Sequence, residues 1–290
     1  MERSVAPLFR LPRPAAYRME HPPLAQAICQ VQYPLISRVS TLDGISAFQD
    51  AVRGFLPYLE AVQQPQVALL FGPLGPAAPP GAMTTAAWKF TNDAGWLLSL
   101  EPGSATLAVG GGYISADDFG ERLRLIARAL ADTLLIPRCD RLGVRYVDLV
   151  ELNATGTDWA WTEWFRAELR GWLGETFLED EARLVFHLTQ SQLSGPPLDA
   201  PGSGPEPVQA IIRHGLVPIG TGVTLQPLAP LLQLTQPHFL LDQDFFVQGH
   251  QPFEPDNLVD QFRALQGQID SFFRWALTPA GEQHFGVTEL

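Results

Sequence analysis

Two aspartates on one predicted strand are the residues of this sequence best suited to chemistry. Asp242 and Asp244 lie two positions apart within 239–247, where the apolar composition predicts a strand. Side chains two positions apart on a strand point to the same face, so the two carboxylates are able to hold a divalent cation or to share a proton. A third ligand has to come from another strand, and Asp148 and Glu151 are the candidates. The alternative is a solvated strand face, and on that interpretation we predict neither a metal site nor a cofactor.

Other residues with catalytic potential are scattered. The six histidines form no pair at ligand spacing, although His187 and His214 fall on strands predicted to be neighbours. Arg141 and Arg145 share a strand face, which favours a structural ion pair over an anion site. A serine-nucleophile motif of the GxSxG type is absent from the sequence. The sequence contains no group of residues predicted to come together as a catalytic site. It therefore does not decide whether the protein is an enzyme, and it favours a protein that is not one.

Three consecutive glycines, Gly110 to Gly112, precede a predicted helix, as in loops whose backbone amides cradle phosphate. No lysine stands at the spacing of a P-loop, and Asp117 and Asp118 would place negative charge where the phosphate sits. A tight, close-packed turn is the favoured interpretation.

Two segments carry more large apolar side chains than a connection or a short helix usually does. One is the helix predicted over 161–173, and the other is the Pro/Leu-rich connection 227–237. Each is able to pack onto the sheet or to form a docking face, because tryptophan and leucine serve both purposes. The interface candidates are Trp161, Trp164, Phe165, Trp172, Leu228, Leu231 and Leu232.

The elements that position these residues occur twice. An irregular arm over 1–22 precedes a first half, 23–138, and a second half, 139–290, and each half is predicted as strand, helix, four strands and helix. The second half contains an insertion over 194–207 that is rich in Gly, Pro and Ser, and we expect it to be mobile.

The helices that end the two halves share a row of apolar residues at helical spacing. In the first half the row is Phe119, Leu123, Ile126, Leu130 and Leu134, and in the second it is Leu258, Phe262, Leu265, Ile269 and Phe272. The sequence therefore predicts an α+β fold of pseudo-duplicated units that form one curved antiparallel sheet with helices on one face. This element order resembles the TATA-binding-protein fold.

Four segments together resemble an uncharacterised, sporadically distributed family of bacterial proteins. They are His21–Leu24 running into Ile28–Val31, Phe48–Val52, Arg141–Tyr146 and Leu240–Asp244. The resemblance implies a cytoplasmic bacterial protein of accessory or defence-associated type. It implies no catalytic residues.

Composition sets the outer limits on function. The chain has 290 residues, 46% of them hydrophobic and 17% charged, which is typical of a globular protein with a large core. A net charge of -12 disfavours nucleic-acid binding, which depends on Lys and Arg. We expect no signal peptide, no membrane span and no disulfide scaffold, and hence a cytoplasmic location.

We therefore expect a non-enzymatic protein-interaction or assembly module whose partner is another protein or a second copy of the chain. The alternative is a ligand- or metal-binding protein, hydrolytic if it is an enzyme. Its pocket would lie on the concave sheet face and use Asp242, Asp244, His187 and His214.

Overall fold

A computed structural model describes residues 8–65, 84–152, 161–170, 186–218, 222–223 and 232–290. Residues 227–231 of the Pro/Leu-rich connection lie outside these ranges. No helix within them is both long and apolar enough to cross a membrane.

Strands dominate the described chain. The strands are β1 (Tyr17–Arg18), β2 (Leu24–Gln32), β3 (Tyr58–Pro65), β4 (Thr84–Thr91), β5 (Trp96–Glu101), β6 (Ser104–Val109), β7 (Arg138–Glu151), β8 (His187–Pro197), β9 (Pro207–Val217), β10 (Gly222–Val223), β11 (Leu232–Gln233), β12 (His238–Pro252) and β13 (Thr288–Glu289). The α-helices are α1 (Leu42–Val52), α2 (Ala116–Ala129), α3 (Trp161–Trp164), α4 (Ala167–Arg170), α5 (Pro255–Ala276) and α6 (Pro279–His284).

Nine of these strands form one antiparallel sheet in the order β3-β4-β5-β6-β2-β7-β12-β9-β8. The central contact is the pairing of β2 with β7, in which Cys29 lies opposite Val144. Within this sheet, β2–β6 lie on one side of the contact, and β7, β12, β9 and β8 lie on the other. The expected α+β class, with a large antiparallel sheet and helices, is confirmed.

The helices cover one face of the sheet, which we call the helix face. Its core contains alternate residues of the strands together with the apolar rows of α1, α2 and α5. Phe119 of α2 stacks on Phe262 of α5 with ring centroids 5.0 Å apart, so these two helices pack against each other over the sheet. The opposite face, which we call the open face, has no described helix packed on it. Its only buried cluster consists of Val147, Val217, Leu234 and Leu240 within the described ranges.

Local sequence signals explain where the first-half helices begin. The Ser115 hydroxyl accepts the Asp118 N–H at 3.1 Å, as expected for an N-cap. At α1 the cap is Thr41, whose side chain accepts from the Gly44 N–H. Gly112 packs so closely on the preceding hairpin that a Cβ there would lie 2.0 Å from Ala94 O, which supports the tight-turn interpretation of the triple glycine.

Two predicted elements have different bounds. The helix expected over 161–173 is broken after Trp164, because Phe165 forms a β-bridge with Leu277 and α4 begins only at Ala167. The insertion expected over 194–207 is shorter, because β8 continues to Pro197 and β9 begins at Pro207.

The described part of the N-terminal arm packs against the second half. Phe9 lies against Phe272 of α5, with ring centroids 5.0 Å apart, and the Leu8 N–H donates to Gln268 Oε1 at 2.9 Å. Tyr17 pairs with Glu289 through β1 and β13. The arm thus fastens the C-terminal end of the chain to the helix face.

We expect Ser115→Ala to lower the free energy of unfolding by about 1 kcal/mol, because it removes the acceptor for a free N–H at the start of α2. Denaturant titration measures this loss. Ser46→Ala is the control, since its hydroxyl donates to Asp43 O on the exposed side of α1, and its effect should stay within about 0.5 kcal/mol. Equal losses in both variants would contradict the assignment of Ser115 as a stabilising cap.

Candidate functional site

Asp242 and Asp244 lie on the open face because the residues of β12 alternate between the two sides of the sheet. Their neighbours Leu241, Gln243 and Phe245 point to the helix face and are buried. Asp242 lies opposite Arg213 of β9, and Asp244 lies opposite Arg145 of β7. The strand pairing thus places arginines on both sides of the aspartates.

Asp242 is held between two arginines. Arg145 donates to it through Nε at 2.7 Å and Nη2 at 3.0 Å, and Arg213 donates through Nη1 at 3.0 Å. Arg213 also donates through Nε to Gln190 of β8 at 2.8 Å. These bonds connect four adjacent strands, β7, β12, β9 and β8.

A second set of bonds continues toward the first half. Arg141 donates through Nη2 to both oxygens of Asp244, at 3.2 and 3.3 Å, and through Nη1 to Gln30 Oε1 of β2 at 3.3 Å. Gln30 in turn donates to Thr106 Oγ1 of β6, and Gln32 donates to Gln30. The two sets lie side by side and together cross six strands. We call them the polar ribbon, which consists of Gln30, Gln32, Thr106, Arg141, Arg145, Gln190, Arg213, Asp242 and Asp244.

Gly143 makes room for the Arg141 guanidinium. A Cβ at position 143 would lie 2.3 Å from Arg141 Nη1, so any side chain there has to displace the arginine. The guanidinium also lies over the Phe246 ring, 4.2 Å from its centroid, where a cation–π contact holds it. Arg141 is therefore fixed by a glycine, an aromatic ring and two hydrogen-bond acceptors.

The ribbon is largely withdrawn from solvent, but the side chains of two of its arginines remain partly exposed to solvent. The Asp242 side chain is 3% exposed, whereas those of Arg145 and Arg213 are 29% and 30% exposed. Burial raises the pKa of Asp244, and the charges of Arg141 and Arg145 oppose that rise. Burial disfavours the charge of Arg145, but its attraction to Asp242 and their hydrogen bonds raise the pKa of the guanidinium above its usual value. The ion pairs thus support each other in a partly desolvated setting.

The aspartates do not assemble the metal ligands that their spacing suggested. Asp148 belongs to β7 on the helix face, because residues 144, 146 and 150 of the same parity are in the helix-side core. Glu151 is exposed at the end of β7, opposite His238. Among the residues that the structure describes, no group of three or more His, Cys, Asp and Glu side chains is arranged to hold a metal ion.

The two histidines expected on the same face as the aspartates lie on the other one. His214 faces the helix side, since Ile212 and Leu216 on the same side of β9 are in that core. His187 lies opposite Leu216 and therefore shares this face. Burial lowers the pKa of His214, while a hydrogen bond to the backbone of Leu169 opposes the shift. The pocket expected from Asp242, Asp244, His187 and His214 is therefore wrong as a single constellation.

The interface candidates have different surroundings. Phe165 is fully buried against Phe239, with ring centroids 4.4 Å apart, so its role is core packing. Trp164 is half-buried and stacks on His284 at 3.5 Å between centroids. Trp161 begins α3 and Leu232 begins β11, but the surroundings of their side chains lie outside what the structure describes. The same holds for the whole of Trp172, Leu228 and Leu231.

Asp148 is a buried carboxyl group with little support. Its hydrogen bond from Gln243 Nε2 is long, at 3.5 Å, and Gln243 Oε1 has no partner among the described residues. Burial raises the pKa of Asp148 to about 8, a rise that the Gln243 hydrogen bond opposes and the charge of Asp242 increases. The protonated, neutral form of this carboxyl group is therefore favoured at pH 7.

Sequence reasoning missed five members of the ribbon. Gln30, Gln32, Thr106, Gln190 and Arg213 come from four strands far apart in the chain, and only the strand register brings them beside the aspartates. The available signal was Arg213 itself, a charged residue within the mostly apolar strand 208–217.

No protein-family model, curated protein or solved structure matches this chain.

A double-mutant cycle between Arg145→Gln and Asp242→Asn should give a coupling energy of about 1–2 kcal/mol, because the bidentate pair is partly desolvated. Denaturant unfolding of the two single variants and the double variant measures it. The control cycle uses Arg53 and Asp50, a pair exposed by 62% and 68%, whose coupling should not exceed about 0.5 kcal/mol. Equal couplings in the two cycles would show that the ribbon behaves as an ordinary surface pair.

Asp148→Asn should remove a pH dependence of stability. Between about pH 4 and pH 8 the folded protein keeps the Asp148 proton while the unfolded chain has lost it, so the free energy of unfolding falls as pH rises and levels off above pH 8. Asparagine carries no charge, so at pH 9 the variant should be more stable than the native protein by roughly 5 kcal/mol, with near-equal stability at pH 4. Unfolding measured across this range for native protein, Asp148→Asn and the exposed control Asp43→Asn tests this. A slope that persists in Asp148→Asn and matches the control would contradict it.

Proposed function

We propose that the protein is a non-enzymatic interaction module and that it binds a protein partner with the open face of its sheet. The observation that carries this proposal is the polar ribbon. It crosses six adjacent strands on a face over which no described helix packs. A surface of this width suits a macromolecular partner better than a small ligand.

The composition of the ribbon supports recognition over simple stabilisation. Withdrawing ion pairs from water costs several kcal/mol per ion, and apolar residues of similar size often stabilise a fold at least as well. Asp242 is nevertheless almost completely buried between Arg145 and Arg213. Charged side chains that are fixed on an accessible face make the binding of a partner specific and orient the partner as it approaches. An interaction module requires both properties.

The alternative function, a metal- or ligand-binding protein, has less support. The Asp242 and Asp244 carboxylates are occupied by arginines, and the two histidines expected beside them face the opposite side of the sheet. A cavity lined by Gly204, Glu206 and residues 247–251 has a volume of about 30 Å³, which leaves room for no more than a few water molecules.

We also propose that the two halves are related copies, as in the duplicated TATA-binding-protein-like arrangement. The strand order supports this, because β6 and β12 flank the central β2–β7 pair, β5 and β9 come next, and β4 and β8 follow. In each half a long amphipathic helix, α2 or α5, follows the sheet strands, and these helices pack against each other. The open face is then built from equivalent strands on both sides of one seam.

The setting that we propose is the bacterial cytoplasm, in a system of accessory or defence-associated type, with another protein or a second copy as partner. Cys29 and Cys139 are both buried as free thiols, which suits a reducing compartment. The accessory role depends on the family resemblance of the sequence.

The test is affinity purification of the tagged protein from its native cell, with mass spectrometry and light scattering on the eluted complex. Gln32→Arg places a bulky charge on the open face, whereas Ala51→Arg places the same group on the exposed side of α1. We expect a stoichiometric partner with the native chain and with Ala51→Arg, and at least about a tenfold loss with Gln32→Arg. A monomer without partner, or equal binding by the two variants, would contradict the proposal.

A further inference from the structure

The arginines on either side of Asp242 keep hydrogen-bond donors that the protein does not use. Arg145 binds Asp242 through Nε and Nη2, so Nη1 donates to no described residue. Arg213 binds Gln190 through Nε and Asp242 through Nη1, so Nη2 is also without an acceptor in the described ranges. The side chains of both arginines are about 30% exposed, so they are accessible from the open face.

These donors are already oriented. Arg145 uses its Nε/Nη2 edge for Asp242 and therefore presents its Nη1/Nη2 edge to a second planar oxyanion, while Arg213 offers Nη2. Asp242 fixes both guanidinium groups, so a ligand does not have to order flexible side chains, which lowers the entropic cost of binding. The same carboxylate that neutralises part of their charge thus prepares them for recognition.

The ribbon also carries a local surplus of positive charge in an acidic protein. Three guanidinium groups, Arg141, Arg145 and Arg213, face two carboxylates, Asp242 and Asp244. The next acidic residue toward the first half is Glu101. Across the sheet, Arg141 pairs with Gln32, Gln32 pairs with Ser104, and Ser104 pairs with Glu101, so Arg141 and Glu101 are three strands apart. Three strand spacings correspond to about 14 Å, beyond the screening length of about 8 Å at physiological salt. A negative group above the ribbon is therefore attracted despite the net charge of -12.

The surroundings favour a carboxylate that belongs to a peptide. Leu188 lies two residues from Gln190 on the same side of β8, and its side chain is 42% exposed. A segment with an acidic residue over Arg145 and Arg213 is able to cover Leu188 with an apolar residue nearby. A free small anion would leave this leucine exposed.

We infer that Arg145 and Arg213 form a carboxylate-recognition site for an acidic segment of a protein partner. This inference depends on the proposed function and specifies the chemistry of its partner. Arg141 acts as a positioning residue that holds Asp244 and adds to the positive potential, while Arg145 and Arg213 contact the incoming carboxylate.

The experiment measures fluorescence anisotropy of two labelled Ser/Thr peptides that carry a Leu on each side of a central residue. The central residue is Glu in one peptide and Gln in the other. The native protein should bind the Glu peptide about tenfold more tightly, because a charge-assisted hydrogen bond is worth more than a neutral one. Arg145→Gln and Arg213→Gln should each abolish this preference, and Arg145→Lys should retain only part of it because it keeps the charge without the fork.

The control is Arg53→Gln, which removes the same charge from an exposed site on α1 and should keep the full preference. Thermal melting checks that each variant is folded, and Arg213→Gln serves as an independent test if Arg145→Gln is unstable. Absence of binding, equal binding of the two peptides, or an equal loss with Arg53→Gln would overturn the inference. Competition by acetate at the affinity of the Glu peptide would also overturn it, because the site would then serve small carboxylates.

The outcome separates this inference from the proposed function. If Gln32→Arg blocks the native partner but the peptides show no Glu preference, the open face is the docking surface and the carboxylate site is wrong. If Gln32→Arg leaves the native partner bound, the proposed function itself is wrong.

Discussion

The pairing of β2 with β7 is the contact on which the rest of the structure depends. It joins strands from the two halves into one sheet, with Cys29 opposite Val144 in the interior. On the helix face, this pairing lets α2 and α5 pack side by side, with Phe119 stacked on Phe262. On the open face, it places Gln30 within hydrogen-bond distance of Arg141. Core and ribbon are therefore two consequences of one strand register.

Much of the fold follows from local patterns in the sequence. The strand of residues 96–101, the Ser115 cap and the terminal helix are all visible as alternation, capping or helical periodicity. Local patterns fail where tertiary contacts compete with them. The helix expected over 161–173 breaks because Phe165 fits between Phe239 and Phe285 in the core, a contact made with distant parts of the chain.

The candidate site was predictable only within single strands. The spacing of Asp242 and Asp244 correctly places both on one face, because strand alternation is a local property. Their partners depend on register, and a change of one residue would reverse the face of every side chain on a neighbouring strand. Strand alternation makes the adjacent residues Arg213 and His214 face opposite sides of the sheet. The register then places Arg213, and not His214, within hydrogen-bond distance of Asp242.

Strand pairing also explains how an acidic protein keeps buried carboxyl groups on both faces of its sheet. Asp242 and Asp148 belong to neighbouring strands but face opposite sides. Asp242 has two arginines as partners, whereas Asp148 has one long bond to Gln243. Burial without an ion-pair partner raises the pKa of Asp148, so this carboxyl group takes up a proton. The difference between the two aspartates therefore arises from the side of the sheet that each one faces.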